Sequence, residues 1–301
     1  MTTVTLRVPL QMPRHQGFFN LEGNAGTLLG RRLSFIPDRP YSYLILEGVP
    51  VDDADTLLRA VRRCLIWAAV RLDQGILTSS EPLKYVETGK FDGQFATAYP
   101  NGSQATPIRI ETNQRSEEPS SRLFAALDEG SRQTNVIAEA ADSKRLVACE
   151  IFSAVDFELS ANAQFLALSM VLEVLCAPKQ RLSVCVDLVE ELLEKVESSK
   201  ASADAELAMA LTALQDSAKW LKQESITSSI RKLATKTAVA LGDENPAQAG
   251  KKGAALYTKR SQLVHLGKSV TQADVYAMRK LARECLAVEM GCYHAIRERF
   301  P

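Results

Sequence analysis

A chain of 301 residues, 46% hydrophobic and 24% charged, has the composition of a folded globular protein and excludes collagen-like, low-complexity and disordered classes. Its 36 basic residues balance 36 acidic ones, so no global field draws in nucleic acid or lipid headgroups, and a polyanion has to be met by a local basic patch. At this length a single core stops growing, and two domains are expected.

The six cysteines form no C-x-x-C pair, and most sit among apolar residues, which points to free buried thiols in a reducing compartment. With three widely spaced histidines as the other candidates, a zinc site is not expected, nor is any other metal or cofactor. The start of the chain, "MTTVTLRVPLQMP", lacks the basic and apolar runs of a signal peptide. The longest apolar candidate, "CLIWAAVRL" at 64–72, is far short of the ~20 residues that span a bilayer. A cytoplasmic protein without a membrane helix is the expectation.

In chain order, "VTLRVPL", "RRLSFI" and "YSYLILEGV" read as strands of a small sheet, separated by turn-forming "LEGNAG" and "PDRP". A helix capped by Asp52 or Asp53 is predicted through Asp73, with Leu57, Val61, Leu65, Ala68 and Leu72 on one face. The stretch 78–121 is polar and rich in turn formers, with short strands at "KYVET" and "IRIET" and a turn at "YPNGS". Short helices follow at "SSRLFAAL" and near 134–150. Residues 1–147 thus read as an α+β domain and 148–301 as an all-α helical bundle.

Within the second half, "ANAQFLALSMVLEVL" puts Phe165, Leu168, Leu172 and Leu175 on one face and ends before Pro178. A second stripe carries Leu182, Cys185, Val189, Leu192 and Val196. A third carries Leu207, Leu211, Leu214, Ala218 and Leu221, with Trp220 expected to anchor the packing at its end. The fourth, "TSSIRKLATKTAVAL", stops at Gly242. "GDENPAQAGKKG" at 242–253 then reads as a connecting loop. The last helix opens on "TQAD", where Thr271 and Asp274 have capping-box spacing, and buries Val275, Met278, Ala282, Cys285, Cys292 and Ile296.

Between that loop and the last helix lies "ALYTKRSQLVHLGKSV", residues 254–269. On a helix Ser261 and His265 share a face, while Leu256, Leu263 and Val264 form an inward stripe. Arg260 lies about 140° round from His265, so the two cannot converge within one straight helix. "LGKSV" has the ending of a phosphate-binding P-loop, but Gln262 stands where that loop needs its first glycine.

The run "LYTKRSQLVHLG" resembles the signature of the Apea-like branch of the HEPN superfamily, through Leu256, Tyr257, Arg260, Ser261, Leu263, Val264, His265 and Gly267. The earlier segment "FLALSMVLEVL", with Glu173 inside it, is similar to a second helix of that branch. The resemblance covers about 148–301. It departs at Leu266, which separates His265 from the glycine that directly follows histidine in many relatives.

What this resemblance implies is a metal-independent endoribonuclease acting as a homodimer, a toxin or antiphage effector whose two copies bring Arg260 and His265 around one RNA phosphate. The residue types suit that work. Histidine titrates near neutrality and transfers protons, and arginine is a permanently charged fork that holds phosphate. Ser261 would orient His265 or touch phosphate, Tyr257 would pack at the dimer seam or contact RNA, and Lys252, Lys259 and Lys268 are candidate RNA contacts beside Lys251. Glu173 is the expected carboxylate partner of Arg260. The N-terminal domain would sense a trigger or hold an inhibitor. Two other readings stay open: a catalytically silent HEPN-type dimerisation or RNA-binding module, and nucleotide binding between the helices. His15 shows no partner, and His294 reads as structural.

Overall fold

The computed structural model describes residues 2–13, 25–38, 41–79, 81–87, 95–101, 118–133 and 143–291. The strand expected at "IRIET", together with His15, His294, Cys292 and Ile296, lies outside them.

The N-terminal part is a mixed sheet of β1 (Thr3–Gln11), β2 (Ala25–Leu28), β3 (Arg31–Asp38), β4 (Tyr41–Pro50), β5 (Leu77–Thr78), β6 (Lys84–Tyr85) and β7 (Thr97–Pro100). The strand order is β2-β3-β4-β1-β7-β6, with β5 also paired to β1; only β6 and β7 run parallel. The two-residue period of β1 sends Val4, Leu6, Val8 and Leu10 into the core, while Thr5 and Arg7 are buried on the opposite face. Three short strands, β2, β5 and β7, escape the sequence reading. β2 begins inside the expected "LEGNAG" turn, and β7 ends at the expected "YPNGS" turn.

Helix α1 (Ala54–Leu72) follows a 3-10 turn at Val51–Asp53. Asp53 precedes it but makes no side-chain cap bond, because the turn already feeds the chain into the helix with Asp53 in a helical conformation. One face packs on the sheet with α2 (Glu118–Gln133) beside it. Ile66 and Val70, on another face, enter the core of the helical part, so α1 is shared by two cores and is buried nearly all round from Cys64 to Val70.

The C-terminal part is all-α: α3 (Ser143–Ala154), α4 (Ala161–Leu175), α5 (Ser183–Lys200), α6 (Ala205–Lys219), α7 (Ile226–Leu241), α8 (Pro246–Leu266) and α9 (Gln272–Glu289). The expected division at 147/148 falls inside α3, which packs on α4 and also on α1. Phe165, Leu168 and Leu172 of α4 sit at the centre, against Ile230, Met278, Cys285 and Leu286. Ion pairs tie the parts together: Arg279 of α9 reaches Asp73 at 2.8 Å and Asp156, and Arg283 donates to the carbonyls of Val70 and Arg71. No described helix is long and apolar enough to cross a membrane.

Three expectations are corrected. Residues 246–253 are helix, not loop: Asn245 caps α8 through Gln248, and Pro246 occupies the first turn, where its missing N–H costs nothing. Gly250 and Gly253 are there for close packing against α7. A Cβ on Gly250 would lie 2.9 Å from the Arg231 carbonyl, and one on Gly253 2.9 Å from the Ala234 methyl. Secondly, the stripes on α5 and α6 are only partly covered, since these helices pack on each other and leave Leu182, Leu192, Leu207 and Leu214 exposed. Trp220 is 73% exposed, so it anchors no core. Lastly, Val264 is exposed rather than inward: Leu256 and Leu263 of the expected stripe pack on the core, and Val264, one residue further, is turned about 100° away from Leu263.

Candidate functional site

The site is built on α8 and braced by α4. Tyr257 is buried, and its hydroxyl donates to Glu173 Oε1 at 2.8 Å; Arg260 Nε lies 3.1 Å from the same oxygen. One carboxylate on α4 therefore gathers two residues from successive turns of α8. The guanidinium also sits 5.9 Å from the Tyr257 ring centre, within cation–π range. Burial, and then the hydrogen bond to Glu173, pushes the Tyr257 phenol up to about 12. It stays protonated, a fixed donor. The ring is enclosed and the hydroxyl already engaged, so within one copy Tyr257 positions Glu173 and Arg260.

Arg260 is half-buried and keeps its outer nitrogens for another acceptor, since only Nε faces Glu173 at 3.1 Å. His265 is exposed in the last turn of α8, and among the described residues neither it nor half-buried Ser261 has a hydrogen-bond partner. The helix ends at once beyond it, with Gly267 in the left-handed conformation (φ 63°) and its N–H bonded to the Gln262 carbonyl. Because α8 runs unbroken from Pro246 to Leu266, Arg260 and His265 project from different sides of one rigid rod. A single copy does not bring them together.

The lysines divide. Lys259 pairs with Asp274 at 2.5 Å, a bond that holds the Asp274 carboxyl below its ordinary range, helped by the Thr271 backbone N–H. Asp274 is at the same time one half of the capping box that starts α9, so Lys259 is committed to structure. Lys251, Lys252 and Lys268 are exposed, with no ion pair among the described residues. Also among these residues, no cluster of histidine, cysteine and carboxylate groups could hold a metal ion. Cys176, Cys285 and Cys64 are buried, and burial raises each thiol to about 12, which keeps them unreactive.

Sequence reasoning missed the double use of Glu173. Its spacing inside the apolar run of α4 marks it as an isolated carboxylate on a buried helix, which is the available signal, but not that it serves two partners. No protein-family model matches this chain, and neither a curated protein nor a solved structure matches it significantly.

Proposed function

We propose that the C-terminal bundle is a HEPN-type, metal-independent endoribonuclease acting as a homodimer in the cytoplasm, with Arg260 and His265 as catalytic residues. One observation carries this reading. Among the described residues His265 stands exposed and without a hydrogen-bond partner on a rigid helix, while Arg260, one turn and a half earlier, is oriented by the half-buried Glu173 carboxylate. A structural histidine would be enclosed and hydrogen-bonded; a reagent must be free to meet its substrate.

The chemistry follows from these groups. A neutral imidazole takes the proton of a ribose 2′-OH as that oxygen attacks phosphorus. The bond to the 5′-oxygen breaks, an imidazolium protonates the departing oxygen, and a 2′,3′-cyclic phosphate remains. Arg260 neutralises the charge that builds on the non-bridging oxygens. A two-fold axis supplies a second histidine for the second proton transfer and sets Arg260 of one copy near His265 of the other. Ser261, on the His265 face, contacts phosphate, and Lys252 and Lys268 supply the local positive field.

Two features support a second copy as the partner. His265 is flanked by exposed Val264 and Leu266, 49% and 64% accessible, an apolar fringe that a two-fold contact would cover. The α5–α6 hairpin exposes Val184, Leu188 and Leu192 at helical spacing beside the acidic Asp187, Glu190 and Glu194; α7 and α8 expose Arg231, Lys251 and Lys252. One copy thus carries both an acidic apolar arm and a basic face that complements it. A toxin or antiphage role, restrained by the N-terminal domain, is the biological setting we assign.

The test is cleavage of total RNA in EDTA by wild-type protein, His265→Ala and Arg260→Ala, each confirmed as a folded dimer by sedimentation. Cutting by wild type alone supports the reading. Cutting that persists in His265→Ala overturns it, and so does a protein that remains monomeric with RNA bound. Cutting by none of the three leaves the bundle a silent RNA-binding or dimerisation module.

A further inference from the structure

A cavity of about 210 Å³ opens where the sheet domain meets the helical bundle, bounded by α1, β5 and α3. Helical spacing builds two of its walls. Arg59, Arg62, Arg63 and Ile66 lie at i, i+3, i+4 and i+7 on one face of α1, and Leu146, Glu150 and Ser153 at i, i+4 and i+7 on one face of α3. Ile76 and Leu77 complete an apolar floor.

The polar groups around this space are under-used. No carboxylate among the described residues forms an ion pair with Arg59, Arg62 or Arg63. The Arg62 side chain donates from Nη2 to the Glu81 carbonyl, yet its Nε is buried with no hydrogen-bond acceptor among the described residues. Ser153 is 2% exposed, and its hydroxyl is buried and unpaired as well. Burial lowers the pKa of Arg62, against the nearby charges of Glu150, Asp55 and Glu81, which raise it. A buried donor left unsatisfied costs about 1–3 kcal/mol, and more for a charged group, so two of them on residues that line one cavity point to a use for them.

We infer that this cavity is a binding site for a small organic anion with an apolar body, seated between the sheet domain and the bundle. The anionic head, a phosphate or carboxylate, accepts from the guanidinium groups of Arg62 and Arg63, and the body lies on Ile66, Ile76 and Leu77. An apolar cavity of roughly 150 Å³ accommodates benzene, so this one has room for an aryl-sized body. Glu150 sits in the wall as a lone negative charge. It disfavours polyanions such as a triphosphate and favours a ligand bearing a hydroxyl or amine donor. The site stands whether or not the bundle cleaves RNA, and its walls come from both parts of the chain, so occupancy bears directly on how α1 seats against α3.

The experiment is calorimetric titration of the full chain at low salt with phenyl phosphate, inorganic phosphate and benzyl alcohol. Saturable binding of phenyl phosphate is expected, at least about tenfold tighter than either fragment-like control, because both halves of the site contribute. Arg63→Gln, which removes a side chain with no partner among the described residues, should weaken it roughly tenfold or more while leaving the melting temperature unchanged. Glu150→Gln should tighten it. Absence of saturable binding by the wild-type chain, or phenyl phosphate binding that Arg63→Gln leaves unaltered, overturns the assignment.

Discussion

From Pro246 to Thr258, α8 turns Gly250, Gly253, Ala254 and Tyr257 into its neighbours; from Lys259 to Leu266 the same helix buries no residue. The first half gains its stability from a backbone approach to α7 that only glycine permits. The second half is more exposed and carries Arg260 and His265. It is held all the same, because Leu263 packs on the core two residues before His265, and Lys259 and Arg260 pair with α9 and α4.

Substitutions in the two halves should therefore separate activity from stability. His265→Ala has the largest expected effect, a loss of RNA cleavage of about 10²–10⁴-fold with an unchanged melting curve. A matching loss of stability would break the division between the halves. Next comes Gly250→Val, which drives a branched side chain into the Arg231 carbonyl and the Thr235 hydroxyl. It should destabilise by about 3 kcal/mol in denaturant titration, and a neutral result would show that α7 and α8 are free to separate.

Between the halves sits the Glu173 bridge. Glu173→Ala strands the Tyr257 hydroxyl and Arg260, which should cost about 1–2 kcal/mol once partial exposure is allowed for. It also has a titration signature. The Tyr257 phenol is raised in the folded protein, so its contribution is complete below the unfolded value near 10 and is lost as pH rises through about 12. In the variant, absorbance at 295 nm should show the phenol ionising below about 12.

Smallest is the capping box of α9. Asp274 is depressed by Lys259 and by the Thr271 backbone, so its contribution is present above the ordinary carboxylate range and is lost as pH falls through the lowered folded value. Asp274→Asn should cost about 1 kcal/mol at neutral pH and flatten that acid limb of the stability profile.

Much of this was legible in the sequence. Alternating residues gave β1, β3 and β4, the period of apolar residues gave α1, α4, α7 and α9, and Thr271 with Asp274 gave the start of α9. The resemblance of 256–267 to a known motif singled out Arg260 and His265 before any geometry. Local pattern failed where a residue serves two ends. Gly250, Gly253 and Pro246 belong to loop chemistry as readily as to a tightly packed helix start, and only the approach of α7 decides between them. The stripes of α5 and α6 declare an apolar face without saying what covers it. No local pattern joins Arg59, Arg62 and Arg63 into a site, since their shared cavity exists only once α3 lies across them.

The central claim is that the exposed end of α8 uses a ribose hydroxyl to cut RNA. It is tested most directly by incubating the dimer in EDTA with a single-stranded oligoribonucleotide and its all-deoxy copy, and analysing the product ends. The account predicts cutting of the ribose strand alone, leaving 2′,3′-cyclic phosphate, and none with His265→Ala. Equal cutting of both strands, or cutting that survives the loss of His265, would contradict it.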